Sequence, residues 1–503
     1  MKPLQQHYKK CLLLTTACTW SVISFARVGG AGGHKSHTSH SGGSGGHGSY
    51  SGGGFSISGI IILIIIVVVV LYVKKKMGGG NMNNGANTFG GDNNFGNTNS
   101  FSGGSDVLMK GLKGGLAGGL AGALTSMIDE SIGGMNKFSG NKNFPEGLNE
   151  QKIKTAFTEL QNAWQQQDLS KVRKWMSDGV YQRFTAQFAM MKKLTQRNML
   201  SNIRIHDISI ADVRTDGAYQ SADVAITFSM DDKFVSEKYP ALNENYNGDN
   251  DTEYWTFIKR TDIAATPGAD LYNTNNCPNC GASLENQLGE VSRCTSCQTL
   301  TNNAAYDWVL NEITQDEDYS HGNRLYNDGQ LQTLVKNDNL FAIQRMEDIA
   351  SNVFMQIMEV MSGDSNKKLE RFAAPDIAQK IITQKAQQGI FVFDRLYLNE
   401  VTLSGYNTQN QKLNLVFDLT ATYKRVQIGD KLKNIDNGFS EHRYQLTLSK
   451  NLTALQPAEK EIAFSYECAN CGAPYDDTTK ATCSYCDAPV VDEGKNWVLT
   501  EFL

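Results

Sequence analysis

Eight of the ten cysteines stand in four Cys-x-x-Cys pairs, and no other feature limits so strongly what these 503 residues can fold into. The first two pairs are Cys277-Pro-Asn-Cys280-Gly281 and, with thirteen residues between Cys280 and Cys294, Cys294-Thr-Ser-Cys297. The second set is Cys468-Ala-Asn-Cys471-Gly472 and, with eleven residues between Cys471 and Cys483, Cys483-Ser-Tyr-Cys486. Four thiolates are the donor set of tetrahedral Zn²⁺, and a Cys-x-x-Cys turn brings two sulfurs to about 2.3 Å from one ion. Gly281 and Gly472 permit the left-handed backbone such a turn often needs. With every ligand protein-derived, no position is open to water, so the reading is two structural Zn²⁺ ions, one per module. Redox dithiols, or iron in place of zinc, are the rival readings. A disulfide-stapled secreted scaffold is excluded, because ten cysteines are too few for a chain of this length.

The amino-terminal region predicts a membrane anchor. Residues 1–26 pair a basic start with a short apolar stretch and end on Ser24 and Ala26, the small residues of a signal-peptidase site. Cleavage after Ala26 is expected; an uncleaved anchor is the alternative. Residues 27–54 are a Gly/Ser/His-rich spacer. Residues 55–73 (FSISGIIILIIIVVVVLYV) carry no charge and, at about 1.5 Å per residue, reach about 28 Å, which fits a transmembrane helix. Lys74, Lys75 and Lys76 follow at once, so the positive-inside bias places everything beyond them in the cytoplasm. That compartment is reducing and keeps thiols available for metal.

Residues 74–147 form a Gly/Asn-rich tether. Within it, segment 107–132 places Gly111, Gly115 and Gly119 at four-residue spacing beside Leu108, Leu112, Leu116 and Leu120. That stripe suits close helix packing in lipid, too short to span; a flexible Gly/Ala linker is the other reading.

The remainder is a duplicated unit. Residues 203–210 (IRIHDISI) align in type with 396–403 (LYLNEVTL) at an offset of 193, and the cysteine modules and the Trp308 and Trp497 segments follow at similar offsets. Ile153, Phe157, Leu160 and Trp164 predict one amphipathic helix, and Val180, Phe184, Phe188 and Met191 another. A short helix is expected over 169–176. Beyond residue 200 the apolar period becomes two, with Asp216-Gly217 and Asn247-Gly248 as turn signals. Helices followed by a meander make an α+β fold. The expected order is a first domain over 148–270, a cysteine module over 271–312, a linker over 313–336, a second domain over 337–465 and a second module over 466–503.

The helix block, the 203–210 strand and its copy, set behind a leader, a span and Gly-rich tracts, resemble bacterial members of the Tim-forty-four-like family. The cysteine modules resemble zinc ribbons. This resemblance implies two cone-shaped α+β domains of the nuclear-transport-factor-two-like fold, each followed by a zinc ribbon. It also implies binding of membrane lipid, and of membrane or cytoplasmic protein, at a bacterial inner membrane. Two copies, an integral anchor and two ribbons depart from the family's mitochondrial member, so its import role is not carried over.

Catalytic signals are weaker. A net charge of −5 from 47 basic and 52 acidic residues provides no surface for gripping nucleic acid. His206, His321 and His442 sit in no nucleophile, metalloprotease or phosphate-loop motif. Asp207 and Glu400 hold equivalent strand positions and read as carboxylates at a strand kink. The expectation is therefore a membrane-anchored, non-catalytic binding or scaffolding protein. An enzyme using the conical cavity, or a cysteine-based redox sensor, is the alternative.

Overall fold

Asn149 caps the first helix by accepting from the Lys152 amide, and the apolar face predicted from the spacing follows at once. Helix α1 (Glu150–Gln166) buries Ile153, Phe157, Leu160 and Trp164 and ends where Gln167 turns left-handed. Ser177 caps α2 (Asp178–Lys193) through the Val180 amide. Asp178 at its start and Lys192 and Lys193 at its end complement the helix dipole. The short helix expected between them is a 3₁₀ turn, Arg173–Trp175. The computed structural model describes residues 141–264, 268–285, 288–320, 323–363, 365–457, 461–475 and 481–503. The expected leader, spacer, membrane span and Gly-rich helix segment lie outside the described residues. Among the described residues, no helix is long and apolar enough to cross a membrane.

Strands β1 (Gln196–Asp216), β2 (Tyr219–Ser236), β3 (Glu244–Arg260) and β4 (Val309–Gln315) form an antiparallel sheet in that order. Asp216-Gly217 makes the β1–β2 turn as expected, with Gly217 at φ 58°. Asn247-Gly248 does not turn. It lies inside β3 beside a bulge, pairing with Asp231 and Met230. The chain reverses instead through Pro240–Leu242, where proline's fixed φ starts a 3₁₀ turn.

The second half repeats this plan. Helix α3 (Gly329–Val335) precedes α4 (Ile343–Ser362) and α5 (Pro375–Gln388). The sheet runs β5 (Val392–Gln409), β6 (Lys412–Gln427), β8 (Ser440–Asn451), β9 (Val498–Phe502), with β7 (Lys433–Asn434) paired to β6. The duplication extends to irregularities. Register shifts in β1 between Ser201/Arg204, Ile205/Asp207 and Ile210/Asp212 recur in β5 between Asp394/Tyr397, Leu398/Glu400 and Leu403/Gly405, at the offset of 193 seen in the sequence. Asn202 and Arg395, inside the first shift, are both left-handed. Bulges bend a strand at fixed places, so their repetition gives both sheets the same curvature.

Each cysteine module was expected after its sheet, but the structure sets it within the sheet's sequence. The chain leaves β3, forms the module, and returns as β4, which pairs with β3; likewise β9 pairs with β8 after the second module. The Trp308 and Trp497 segments that align in sequence are the entries to these closing strands. In each copy the closing strand also bridges in parallel to the segment before the last helix, Met176 to Leu310 and Ala373 to Leu499.

The two halves share their cores. On α4 every residue except Arg345 and Glu359 is buried, the pattern of a helix enclosed on all sides. Its neighbours include α2, β4 and β5. Tyr397 of β5 is buried in the first half's apolar cluster, while Ala186 and Met190 of α2 and Leu194 just after it belong to the second half's.

Candidate metal centres

All four Cys-x-x-Cys pairs adopt one backbone pattern. The amide four residues after the first cysteine donates back to its carbonyl: Gly281 to Cys277 at 2.9 Å, Gln298 to Cys294 at 2.9 Å, Gly472 to Cys468 at 2.8 Å and Asp487 to Cys483 at 3.0 Å. The first cysteine's own amide donates onward, to Ala282, Thr299, Ala473 and Ala488 respectively. The closing residue is left-handed every time, with φ of 75°, 62°, 74° and 56°. Glycine foretold two of these positions; Gln298 and Asp487 adopt the same conformation without it.

These turns gather the sulfurs into two clusters. Cys277, Cys280, Cys294 and Cys297 lie within 4.8 Å of one another, as do Cys468, Cys471, Cys483 and Cys486. Sγ separations are 3.6 Å for Cys277–Cys297, 3.8 Å for Cys280–Cys294, 3.7 Å for Cys468–Cys486 and 3.8 Å for Cys471–Cys483. A tetrahedron with ligands at about 2.3 Å has edges of about 3.8 Å, so the spacing fits an ion of zinc's size. It is far beyond the disulfide length of about 2 Å. The structure thus brings together all eight predicted ligands as two sites able to hold a metal ion.

One thiol in each cluster is prepared for ionisation. At Cys297 burial pushes the thiol up, but the Asn279 amide and the Thr299 donors outweigh it and bring it down to about 6. The Ala488 amide and the Asn470 side chain bring Cys486 down to about 7. A thiolate at neutral pH is the form that captures metal.

Each module is anchored to the fold by buried polar contacts. Arg173, fully buried, donates from Nε to the Gly289 carbonyl at 3.1 Å and from Nη2 to the Glu290 carbonyl at 2.8 Å. Lys174 Nζ donates to the Thr274 carbonyl and to Asn275. Beside the second module, Tyr466 donates its hydroxyl to Gln182 of α2 at 3.0 Å and accepts from Asn352 of α4 at 3.2 Å. The modules also touch each other. Arg293, next to Cys294, grips Glu467, next to Cys468, through Nε at 2.7 Å and Nη2 at 2.6 Å. No sequence signal pointed to this pair.

The other candidate residues do not converge. Asp207 and Glu400 sit at the equivalent bulges, as expected, but among the described residues their partners are side chains and not the backbone N–H groups expected at a kink. Asp207 pairs with Lys142 at 2.8 Å, while Glu400 accepts from Thr402 at 3.0 Å. His206 meets Ser229, and His442 stacks on Tyr423; His321 lies outside the described residues. A crevice between the halves, lined by Trp164, Gln187, Phe234 and Tyr397, retains about 10 Å³, at the lower limit for a single water, whereas the cavity lined by Met190, Lys193, Glu290, Glu359 and Arg371 measures about 620 Å³.

Fold and site together define a protein of two α+β units, each interrupted before its last strand by a four-cysteine module able to hold a metal ion. Residues 141–274 match the family model of the Tim44-like domain. The match ends where the first module begins, before the closing strand β4. No curated protein matches the chain. Among solved structures, the chain is similar to one described as an "Ntf2 like protein involved in plasmid conjugation", at 7% identity and a TM-score of 0.11, over 56% of this chain and 88% of that one.

Proposed function

We propose that the chain is a membrane-anchored, non-catalytic scaffold that presents a fused pair of Tim44-like units to lipid or protein at the cytoplasmic face of a bacterial inner membrane. In this reading the modules are zinc ribbons that bind two structural Zn²⁺ ions. The observation that carries it is the pair of closed centres. Cysteines supply four sulfurs at tetrahedral separation in each, leaving zinc no position for water or substrate. Two further features support it: the Tim44-like match and the uncharged 19-residue segment with its lysine flank.

The test is purification of the membrane-inserted protein in mild detergent, with mass spectrometry of co-purifying lipid and protein. Reproducible enrichment of an anionic lipid or a membrane protein supports scaffolding. Enrichment of a small metabolite instead overturns it in favour of an enzyme. Protease digestion of the carboxyl-terminal units from outside intact cells would overturn the orientation.

A further inference from the structure

The two modules meet through an ion pair, Arg293 to Glu467. Arg293 immediately precedes the third ligand of the first centre, and its backbone bridges Leu300 across that knuckle. Its guanidinium also donates to the carbonyl of Gln298, the left-handed residue that closes the same knuckle. Glu467 immediately precedes the first ligand of the second centre, bridges Pro474 across it, and accepts from the Ala463 amide at 2.8 Å. The guanidinium and carboxylate meet face to face in a two-bond fork, with side-chain exposures of only 15% and 3%. Leu300, Ala463 and Tyr466 form an apolar cluster beside them, packed with Val291.

We infer that the two four-cysteine centres bind their ions as a coupled pair, with the Arg293–Glu467 contact as the link. This rests on the metal-binding reading above. A metal ion supplies much of the folding free energy of such a small module, so the backbone around an emptied centre loses its fixed form. When the second centre empties, Glu467 loses its position and Arg293 is left as a part-buried cation without its carboxylate. A part-buried charge without its partner is destabilising, and here the cost falls on the knuckle holding Cys294 and Cys297. The charges reinforce the effect. A divalent ion with four thiolates carries a net charge of −2, so Glu467 beside such a centre is tolerable only while Arg293 neutralises it. Coupling between two binding events is reciprocal, so the first ion must hold the second as firmly as the second holds the first.

Full-length protein in mild detergent, loaded with Zn²⁺ alone, is titrated with a chelator while released zinc is measured. Both ions are expected to leave in one concerted step. The C471S/C486S variant should keep one ion, held at least tenfold more weakly, and C280S/C297S should show the same loss in reverse. The R293Q/E467Q variant keeps all eight ligands and leaves no unpaired charge. It should release its ions in two separate steps, and adding C471S/C486S to it should change the remaining affinity less than twofold. Two independent steps in the native protein overturn the coupling while leaving the metal reading intact. Concerted release that persists in R293Q/E467Q overturns the role of this pair. Purified protein with no zinc overturns both.

Discussion

Ser177, the cap of α2, donates its hydroxyl to Asp348 Oδ1 of α4 over 2.6 Å, so the residue that starts a helix in the first unit satisfies a fully buried carboxyl in the second. The Gly179 amide donates to the other oxygen at 3.2 Å. Asp348 therefore docks on the amino-terminal end of α2, the positive pole of that helix. The two units are joined by chemistry specific to this junction and not by apolar contact alone.

The stability contributed by Asp348 and Glu347 should fall as pH rises from about 4 to about 8. Burial pushes Asp348 up to about 7, and burial with the nearby Glu312 carboxylate pushes Glu347 up to about 8. Unfolded, both titrate near 4, so over this window the folded chain holds more protons than the unfolded one. Stability contributed by these groups is fully present below pH 4 and is lost as the pH passes their folded values. Denaturant melts of Glu347→Gln across this range should show a flatter pH dependence than the native chain.

Gly179→Ala should weaken the same junction. An added Cβ would lie 2.2 Å from Asp348 Oδ1, 2.4 Å from the Asp348 carbonyl and 2.5 Å from Ser351 Oγ. Helix propensity favours alanine, yet overpacking of this kind costs about 1–3 kcal/mol. A fall in the melting midpoint is expected, and equal or higher stability would show that the helices approach less closely.

Tyr397→Ala should destabilise the first unit although the residue belongs to the second. Tyr397 is 3% exposed within the first unit's apolar cluster. Removing a buried aromatic side chain costs about 3–5 kcal/mol, and the cavity would open between Trp164 and Phe234. Limited proteolysis should detect cleavage in the first unit's sheet. Cleavage confined to the second unit would contradict a shared core.

Gln298→Gly should stabilise the first module. Gln298 holds φ 62° where the matching positions after Cys280 and Cys471 are glycine. Relief of the left-handed penalty is worth about 1 kcal/mol. Chelator resistance of the first centre should rise, with Gln298→Pro, which cannot adopt this φ, doing the reverse.

Much of this architecture was legible in the residues. The spacing of Ile153 to Trp164 and of Val180 to Met191 gave two helices because one face of each is buried in the core. The 203–210 and 396–403 alignment predicted equivalent strands, and their bulges coincide. The cysteine spacing predicted both four-sulfur clusters, since a knuckle is a local structure set by a few neighbouring residues. Contacts distant in sequence were hidden. The closing strands β4 and β9 follow the modules and are too short to show a period, so the modules read as appendages. Asn247-Gly248 carries a turn signature, but register with β2 overrides it. Arg293–Glu467 and Ser177–Asp348 depend on how the halves dock, and no local pattern encodes that.

The metal content of the purified full-length protein tests the account most directly. Elemental analysis should find two zinc ions per chain, with one lost in a variant lacking Cys280 and Cys297 and the other in one lacking Cys471 and Cys486. Native protein that folds, melts cooperatively and contains no zinc, with all eight thiols open to alkylation, would contradict it.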